Sequence, residues 1–193
     1  TTETDASYLI RNNFNYTKML CHFCLEGQRR FVYASSAATY GGLEQKLSET
    51  LPLHSLRPLN MYGYSKHMFD CYAERAGFLG ALTGLKYFNI FGPNENHKGD
   101  MRSVVHKAFH AIRDTGHTSL FKSHRPEYLD GEQKRDFLYV KDAAAITVDL
   151  AHRLQGGGLF NVGSGEANTW LLLAKALFAA LGKQPAIDFI DMP

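Results

Sequence analysis

The chain has 193 residues, 45% of them hydrophobic and 21% charged, with a net charge of +2, an ordinary globular composition for one domain or two small ones. This excludes a dedicated nucleic-acid binder, because the densest basic groups, Arg29-Arg30 and Lys134-Arg135, are short and no basic face is concentrated. No apolar run approaches a membrane span, the polar start Thr1-Thr2-Glu3-Thr4-Asp5 is no signal peptide, and three cysteines argue against a disulfide framework, so the expected setting is reducing, cytoplasmic and away from membranes.

A helix is predicted from Asp5 to Glu26, where Tyr8, Leu9, Asn12, Tyr16, Met19, Leu20, Phe23 and Cys24 recur at three- and four-residue spacing; Gly27 stops it. Phe31 to Ala34 reads as a buried parallel strand running into the small residues Ser35 to Gly42, which suit a place where a ligand approaches backbone. Leu43 to Asn60 is a loop, Met61 to Ala76 a helix closed by Gly77, and Gly84 to Asn89 a strand broken by Gly92-Pro93. Met101 to Asp114 is helical and Thr118 to Phe121 a strand. Lys122 to Arg135 is a polar loop with an Asp130-Gly131 turn, and Phe137 to Val140 is extended. A helix over Asp142 to Leu154, a strand over Leu159 to Val162, a helix over Asn168 to Leu181 and a strand over Ile187 to Ile190, stopping at Pro193, complete the chain. Strands alternating with helices imply a parallel α/β sheet. Because the first residues read as a helix N-cap with no strand before them, both ends are expected to be cut from a longer protein.

The strongest local chemistry is Tyr62-Gly63-Tyr64-Ser65-Lys66. Tyr62 and Lys66 lie one helical turn apart and share a face. An ammonium beside a phenol favours the phenolate, which suits Tyr62 to proton exchange. The spacing alone is also met by a surface Tyr-Lys pair. Its context is the additional signal: a strand ending in Ser35-Ser36 precedes it and a strand ending in Asn89 follows.

These motifs, in order, with Tyr87-Phe88-Asn89, Phe91-Gly92-Pro93, the run Arg135 to Asp142 and the run Phe160 to Gly165, resemble the extended short-chain dehydrogenase/reductases, the NAD-dependent epimerase/dehydratase family. The resemblance covers nearly the whole chain. It implies that residues 1–90 are the remainder of a Rossmann domain and that 91–193 are mainly a smaller α/β substrate-binding domain, with 136–154 packing back on the first. It also implies that Ser36 hydrogen-bonds the reacting sugar oxygen, Tyr62 is the acid/base, and Lys66 holds the nicotinamide ribose and tunes Tyr62. Within the family, Ala34 to Gly42, Tyr87 to Pro93 and His97-Lys98-Gly99 with Met101 are similar to the heptose 6-epimerases. That narrower resemblance implies inversion at C6″ of ADP-glycero-manno-heptose by transient oxidation and re-reduction with bound NADP, NAD being the alternative, in the supply of heptose for the lipopolysaccharide core. It further implies an ADP-sugar substrate, a homo-oligomer, and Lys98 as a second acid/base; the plain alternative for Lys98 is a loop lysine meeting phosphate or solvent.

By the same resemblance Asn12, Asn89, Ile90, Lys66 and Lys98 fall at cofactor positions. Ser36, Asn89, Asp100, Lys107, Phe121 and Arg135 fall at substrate positions, Phe121 at the adenine and Arg135 at the diphosphate, which a planar fork of donors suits. Asp100 and Lys107 depart from the family pattern, which has Ser and His there, and Asn12 reads equally as an ordinary mid-helix residue. No metal site is expected. Cys21-His22-Phe23-Cys24 lies inside a helix, where thiols are not activated and no second pair completes a zinc site; His106 and His110 read as a solvated helix face. Gly163-Ser164-Gly165 is too short for a nucleophile elbow, and Gly156-Gly157-Gly158 reads as a connection. A G-x-x-G-x-x-G fingerprint after a strand occurs nowhere in the sequence, so the first Rossmann strands and the pyrophosphate cradle are expected to be absent and the chain alone to bind cofactor poorly. A UDP- or dTDP-hexose 4-epimerase or dehydratase, and an inactive fragment, are the competing readings.

Overall fold

The computed structural model describes residues 3–43, 47–153 and 156–191. Its helices are α1 (Ala6–Leu9), α2 (Tyr16–Glu26), α3 (Met61–Arg75), α4 (Val104–Thr115), α5 (Val140–Arg153) and α6 (Trp170–Ala180). Its strands are β1 (Val32–Ser36), β2 (Thr83–Tyr87), β3 (Asn89–Phe91), β4 (Thr118–Phe121), β5 (Lys134–Tyr139), β6 (Gly158–Val162), β7 (Ala167–Thr169) and β8 (Ile187–Ile190). The predicted helix end at Leu154, the stop at Pro193 and positions 44–46 of the predicted loop lie outside the described residues. The chain divides into two compact units, Thr1–Phe88 with Asp142–Val162, and Asn89–Lys141 with Gly163–Pro193. The expected stretch 136–154 is divided between the units: 136–141 falls in the second, and the first takes Asp142–Val162, whose β6 pairs with β2.

The first unit opens on a long helix. Asp5 caps it by accepting a hydrogen bond from Tyr8 N at 3.0 Å. α1 passes through a π-helical stretch, Ile10–Asn15, into α2, where the periodicity alone predicts an unbroken α-helix. Tyr16 N–H reaches back to Arg11 O, a five-residue step that widens the turn. The residue in left-handed conformation after the helix is Gln28, at φ 51°, while the predicted stop Gly27 sits at φ −85°.

β1, β2 and β6 form a three-stranded parallel sheet in the order β1-β2-β6. The central strand β2 buries Thr83 to Lys86 on both faces, as the middle strand of a parallel sheet should. β1 lies at the sheet edge and exposes Ala34, so only part of the expected buried strand is covered. The core beneath it is Cys21, Tyr33, Tyr40, Leu53, Leu56, Phe69, Ala73, Leu82 and Leu159. Two glycines allow close approach. A Cβ at Gly84 would meet the Tyr33 hydroxyl at 2.5 Å, and one at Gly63 would meet Ala38 O at 2.8 Å. Gly63 therefore lets the helix that carries Tyr62 lie against the 3-10 segment Ala37–Tyr40 that follows Ser36.

The second unit holds β3, β5 and β7 in one sheet, β5 pairing parallel with β3 and antiparallel with β7, and β4 parallel with β8 in another. Ala108, Ile112 and Phe178 form a buried cluster between α4 and α6. The helix predicted from Met101 begins at Val104, since the Ser103 side chain caps it by accepting from His106 N at 3.1 Å. Asn168 and Thr169, expected in a helix, belong to β7; Thr169 caps α6, which starts at Trp170. β5 begins at Lys134, earlier than the extended stretch predicted from Phe137.

Candidate active site

Ser36 ends β1 and is buried. Its Oγ accepts a hydrogen bond from Ala38 N at 3.1 Å, capping the 3-10 segment, which engages a lone pair and leaves the hydroxyl proton available. α3 is capped by Asn60, whose side chain accepts from Gly63 N at 2.8 Å and so orients the first turn, which carries Tyr62. Tyr62 and Lys66 are both half-buried. Lys66 makes no hydrogen bond or ion pair among the described residues. Burial pushes its amine below the ordinary lysine value of 10.5, and the Asp70 carboxylate one turn further on opposes part of that shift. Asn12, expected at the cofactor, is exposed and bonds back to Tyr8 O at 2.9 Å. Its neighbour Asn13 instead donates to Ser65 Oγ at 3.0 Å, and Ser65 donates to Tyr62 O at 2.7 Å.

Beneath this face lies a buried ionic network that the sequence reading missed. Lys86 and Asp70 are fully buried and form an ion pair at 2.9 Å. Asp70 also accepts from Tyr33 Oη at 2.8 Å and Ser35 Oγ at 2.7 Å. Lys86 donates to Thr39 Oγ1 at 2.6 Å, and Thr39 donates to Ser36 O at 2.8 Å. The Lys86 ammonium also lies 5.2 Å from the Tyr40 ring centroid, within cation–π range. Burial, and next the Asp70 charge, push the Tyr33 phenol well up. Burial pushes Tyr40 up to about 12 despite its hydrogen bond to Asn161 Oδ1.

In the second unit Lys98 lies on the 3-10 segment Asn96–Met101, just before Gly99 at φ 53°. Its Nζ is 3.5 Å from the buried Glu95 carboxylate. Glu95 accepts from Ser103 Oγ at 2.6 Å, Ser103 N at 2.7 Å and Gly92 N at 3.4 Å. Burial raises the Glu95 carboxyl, but the Ser103 hydrogen bonds, the Lys98 charge and Gly92 outweigh it and hold it below the usual glutamate value. Asp100 and Lys107, both expected at substrate, meet each other: Lys107 Nζ donates to Asp100 O at 2.6 Å. Asn89 is exposed at the start of β3 and donates to Asp136 O at 3.2 Å, and Ile90 beside it is half-buried. Arg135 is exposed on β5, with Nη1 on Lys134 O at 2.7 Å; Phe121 is exposed at the end of β4. Ser164 is held by the Asp136 carboxylate through its N and Oγ at 2.8 and 2.9 Å, the role of a loop anchor.

His106 departs from the predicted solvated face. It is half-buried, its ring lies 4.5 Å from that of His110, one nitrogen meets Asn96 Oδ1 at 2.9 Å, and Nδ1 is buried without a partner. Among the described residues no group of three His, Cys, Asp or Glu side chains is placed to hold a metal ion, and no helix is long and apolar enough to cross a membrane.

The sequence of residues 1–163 matches the model of the NAD dependent epimerase/dehydratase family. The chain belongs to that family. Among its relatives it is 50% identical over 194 residues to the ADP-L-glycero-D-manno-heptose-6-epimerase of Nitratidesulfovibrio vulgaris, a match over 100% of this chain and 60% of that protein. It is 41% identical over 203 residues to the enzyme of the same name from Fusobacterium nucleatum, over 100% of this chain and 61% of that one. The solved ADP-L-glycero-D-manno-heptose-6-epimerase of Helicobacter pylori superposes with a TM-score of 0.85 at 26% identity, over 100% of this chain and 57% of the other. The chain therefore spans about 60% of the length of these curated relatives. This epimerase/dehydratase chain has the Rossmann-type parallel α/β architecture expected of it, with the Ser36 and Lys66 positions at the carboxyl end of β1 and on the following helix.

A nicotinamide cofactor suits part of what is present. Lys66 offers a half-buried cation with no partner among the described residues, which a ribose hydroxyl can accept, but the 193 residues contain no glycine fingerprint for a pyrophosphate. A hollow of about 200 Å³ lined by Arg30, Phe31, Gly80, Ala81 and Thr83 lies at the opposite end of β1 from Ser36 and plays no part in this site.

Proposed function

We propose that the chain carries the proton-transfer and sugar-contacting part of an isomerase of the ADP-glycero-manno-heptose 6-epimerase type. The observation that carries this reading is the exposed end of α3. Tyr62 and Lys66 stand one turn apart, Lys66 is half-buried and unpartnered among the described residues, and Gly63 packs the helix against the segment that opens on Ser36. The choice of heptose rests on the names of the relatives at 50% and 41% identity and on His97-Lys98-Gly99.

In this reading Ser36 Oγ donates to the sugar oxygen at C6″, Tyr62 Oη removes the hydroxyl proton from one epimer, and after reorientation Lys98 Nζ supplies a proton to the oxygen of the other. The two exchange these roles in the reverse direction and reset by proton exchange with solvent, since an enzyme that inverts a carbinol must serve both epimers. A bound nicotinamide cofactor, NADP in preference to NAD, supplies hydride acceptance and return, so none is consumed. Lys66, Asn12, Asn89 and Ile90 hold it. Arg135 meets the diphosphate, Phe121 the adenine, and Asp100 and Lys107 the sugar. The complete protein is a cytoplasmic homo-oligomer that feeds heptose to the lipopolysaccharide core.

The test joins this chain to the portion of the Nitratidesulfovibrio vulgaris relative that lies outside the match, adds NADP⁺ and ADP-D-glycero-D-manno-heptose, and follows the L-glycero epimer by chromatography. Conversion that is lost in Tyr62→Phe and crippled in Lys98→Met, with the fold kept, supports the reading. Turnover of UDP-glucose in place of the heptose would favour a hexose 4-epimerase, and turnover of neither overturns the proposal.

A further inference from the structure

Tyr62, Lys66 and Asp70 succeed one another at four-residue steps on one face of α3, so the Asp70 carboxylate lies one turn beyond Lys66 on the face of the reacting pair. Asp70 is not a solvated helix residue. It is fully buried, and three groups from two strands converge on it: Tyr33 Oη and Ser35 Oγ from β1, and Lys86 Nζ from β2. Lys86 in turn bonds Thr39, which bonds Ser36 O. Every polar atom of the carboxylate is thereby taken by a neighbour other than Lys66. We infer that Asp70 is a positioning residue for the Tyr62–Lys66 pair: its carboxylate, locked between β1 and β2, is the fixed negative charge against which the unpartnered Lys66 ammonium is held, and the same anchor fixes the Ser35–Ser36 strand end.

The arrangement has a physical logic. A carboxylate bonded directly to Lys66 would occupy the ammonium and compete with a ligand hydroxyl for it. A carboxylate one turn away, saturated by other donors, supplies its charge through space and leaves the donors of Lys66 open. The groups facing Asp70 are Tyr33 and Ser35 from β1, Lys86 from β2, and Lys66, His67 and Cys71 from its own helix; Thr39 and Tyr40 face Lys86 from the segment after β1. Burial drives the Lys66 amine down and Asp70 alone among these groups is set against it.

The inference rests on Tyr62 and Lys66 being the reacting pair, yet its test needs no turnover. In the 193-residue chain, competitive acetylation of Lys66 against a reference amine, read from its peptide by mass spectrometry across pH, gives the titration midpoint of that amine. In Asp70→Asn the midpoint falls, and acetylation at pH 8 quickens by about threefold or more, a shift of half a unit or greater. Asp70→Asn with Lys86→Met, a pair that avoids a buried lone charge, gives the same fall with the helical circular dichroism retained. A merely loosened structure would let water reach Lys66 and move its midpoint up toward 10.5, the opposite direction. A midpoint that stays in place or rises in both variants overturns the inference. A fall in the midpoint, together with full turnover by Tyr62→Phe in the joined protein, would instead defeat the functional reading and leave the role of Asp70 toward Lys66 intact.

Discussion

The Glu95 carboxylate lies 3.5 Å from the Lys98 ammonium, and the two ends of that contact are unlike: the Glu95 side chain is 5% exposed and the Lys98 side chain 46%. The buried partner is the organising one. Glu95 gathers Gly92 N, Ser103 N and Ser103 Oγ, the residues that bracket the segment bearing Lys98, and its own carbonyl accepts from Lys98 N at 3.0 Å. Glu95→Ala strips buried donors of their acceptor and should cost about 1–3 kcal/mol. For a chain of this size that is a fall in melting temperature of roughly 2–12 °C, measurable by circular dichroism. Trypsin cleavage after Lys98 should quicken in parallel. An unchanged melt would show that Glu95 does not hold the segment.

The same carboxylate fixes an acid limb of stability. Its folded-state pKa lies below the ordinary value of 4.5, so its contribution is complete above that value and is lost as the pH falls through the folded one. Urea midpoints of the native chain and of Glu95→Gln should therefore differ most near neutrality and converge below about pH 4.5. Parallel pH curves would contradict the assignment.

Lys66 predicts the opposite sign. Its amine is held below 10.5 in the folded chain, so folding carries a cost that is full at low and neutral pH and is relieved as the pH rises toward that value. Lys66→Met should be at least as stable as the native chain at pH 7, and the difference should shrink above pH 9. A site residue whose removal stabilises marks a place where function is kept at the expense of stability. A clear loss of stability at pH 7 would show that Lys66 is a structural residue.

Gly63 is a steric test of how α3 is seated. A Cβ there meets Ala38 O at 2.8 Å and Pro58 Cβ at 3.0 Å. Gly63→Val should push the helix from the Ser36 segment and destabilise by about 1–3 kcal/mol, while Gly63→Ala does so less. Equal stability of all three in a urea titration would rule out that close packing.

The thiols separate by depth. Burial, with a smaller push from Cys24, raises Cys21 to about 11. At pH 8 only on the order of one Cys21 in a thousand is then a thiolate, and it should resist iodoacetamide until urea unfolds the chain. Rapid native labelling of Cys21 would place it at the surface.

The α/β pattern was legible because parallel strands bury both faces and read as apolar runs between helices, and the Ser36, Tyr62 and Lys66 positions stood out because their motifs fall in order along the chain. Lys86 is instructive. It is the lone charge inside the run Gly84 to Asn89, read as a buried strand, and a charge there demands a buried partner; Asp70, four residues past Lys66 on the same face, was that partner in plain view. Glu95 carried no such signal, since a glutamate three residues before a loop lysine is commonplace until its burial is known. The start of α6 differs from the predicted one because Asn168 and Thr169, residues better suited to a cap than to a helix interior, pair with Arg135 and Lys134 on β5, and Thr169 caps the helix; that pairing is remote in sequence. Asn12 and Asn13 could not be told apart by a regular wheel, because the π turn changes which of them faces α3.

That π turn is, in effect, one surplus residue accommodated without a break. Winding the same residues at regular α pitch, with none removed, would rotate everything before Ile10 by about 100° relative to α2. The helix would survive; its alignment would not. Leu9, now buried, would swing from its place, and Asn13 could no longer keep its bond to Ser65 beside Tyr62. The surplus residue in Ile10–Asn15 therefore sets the alignment of α1 against α3.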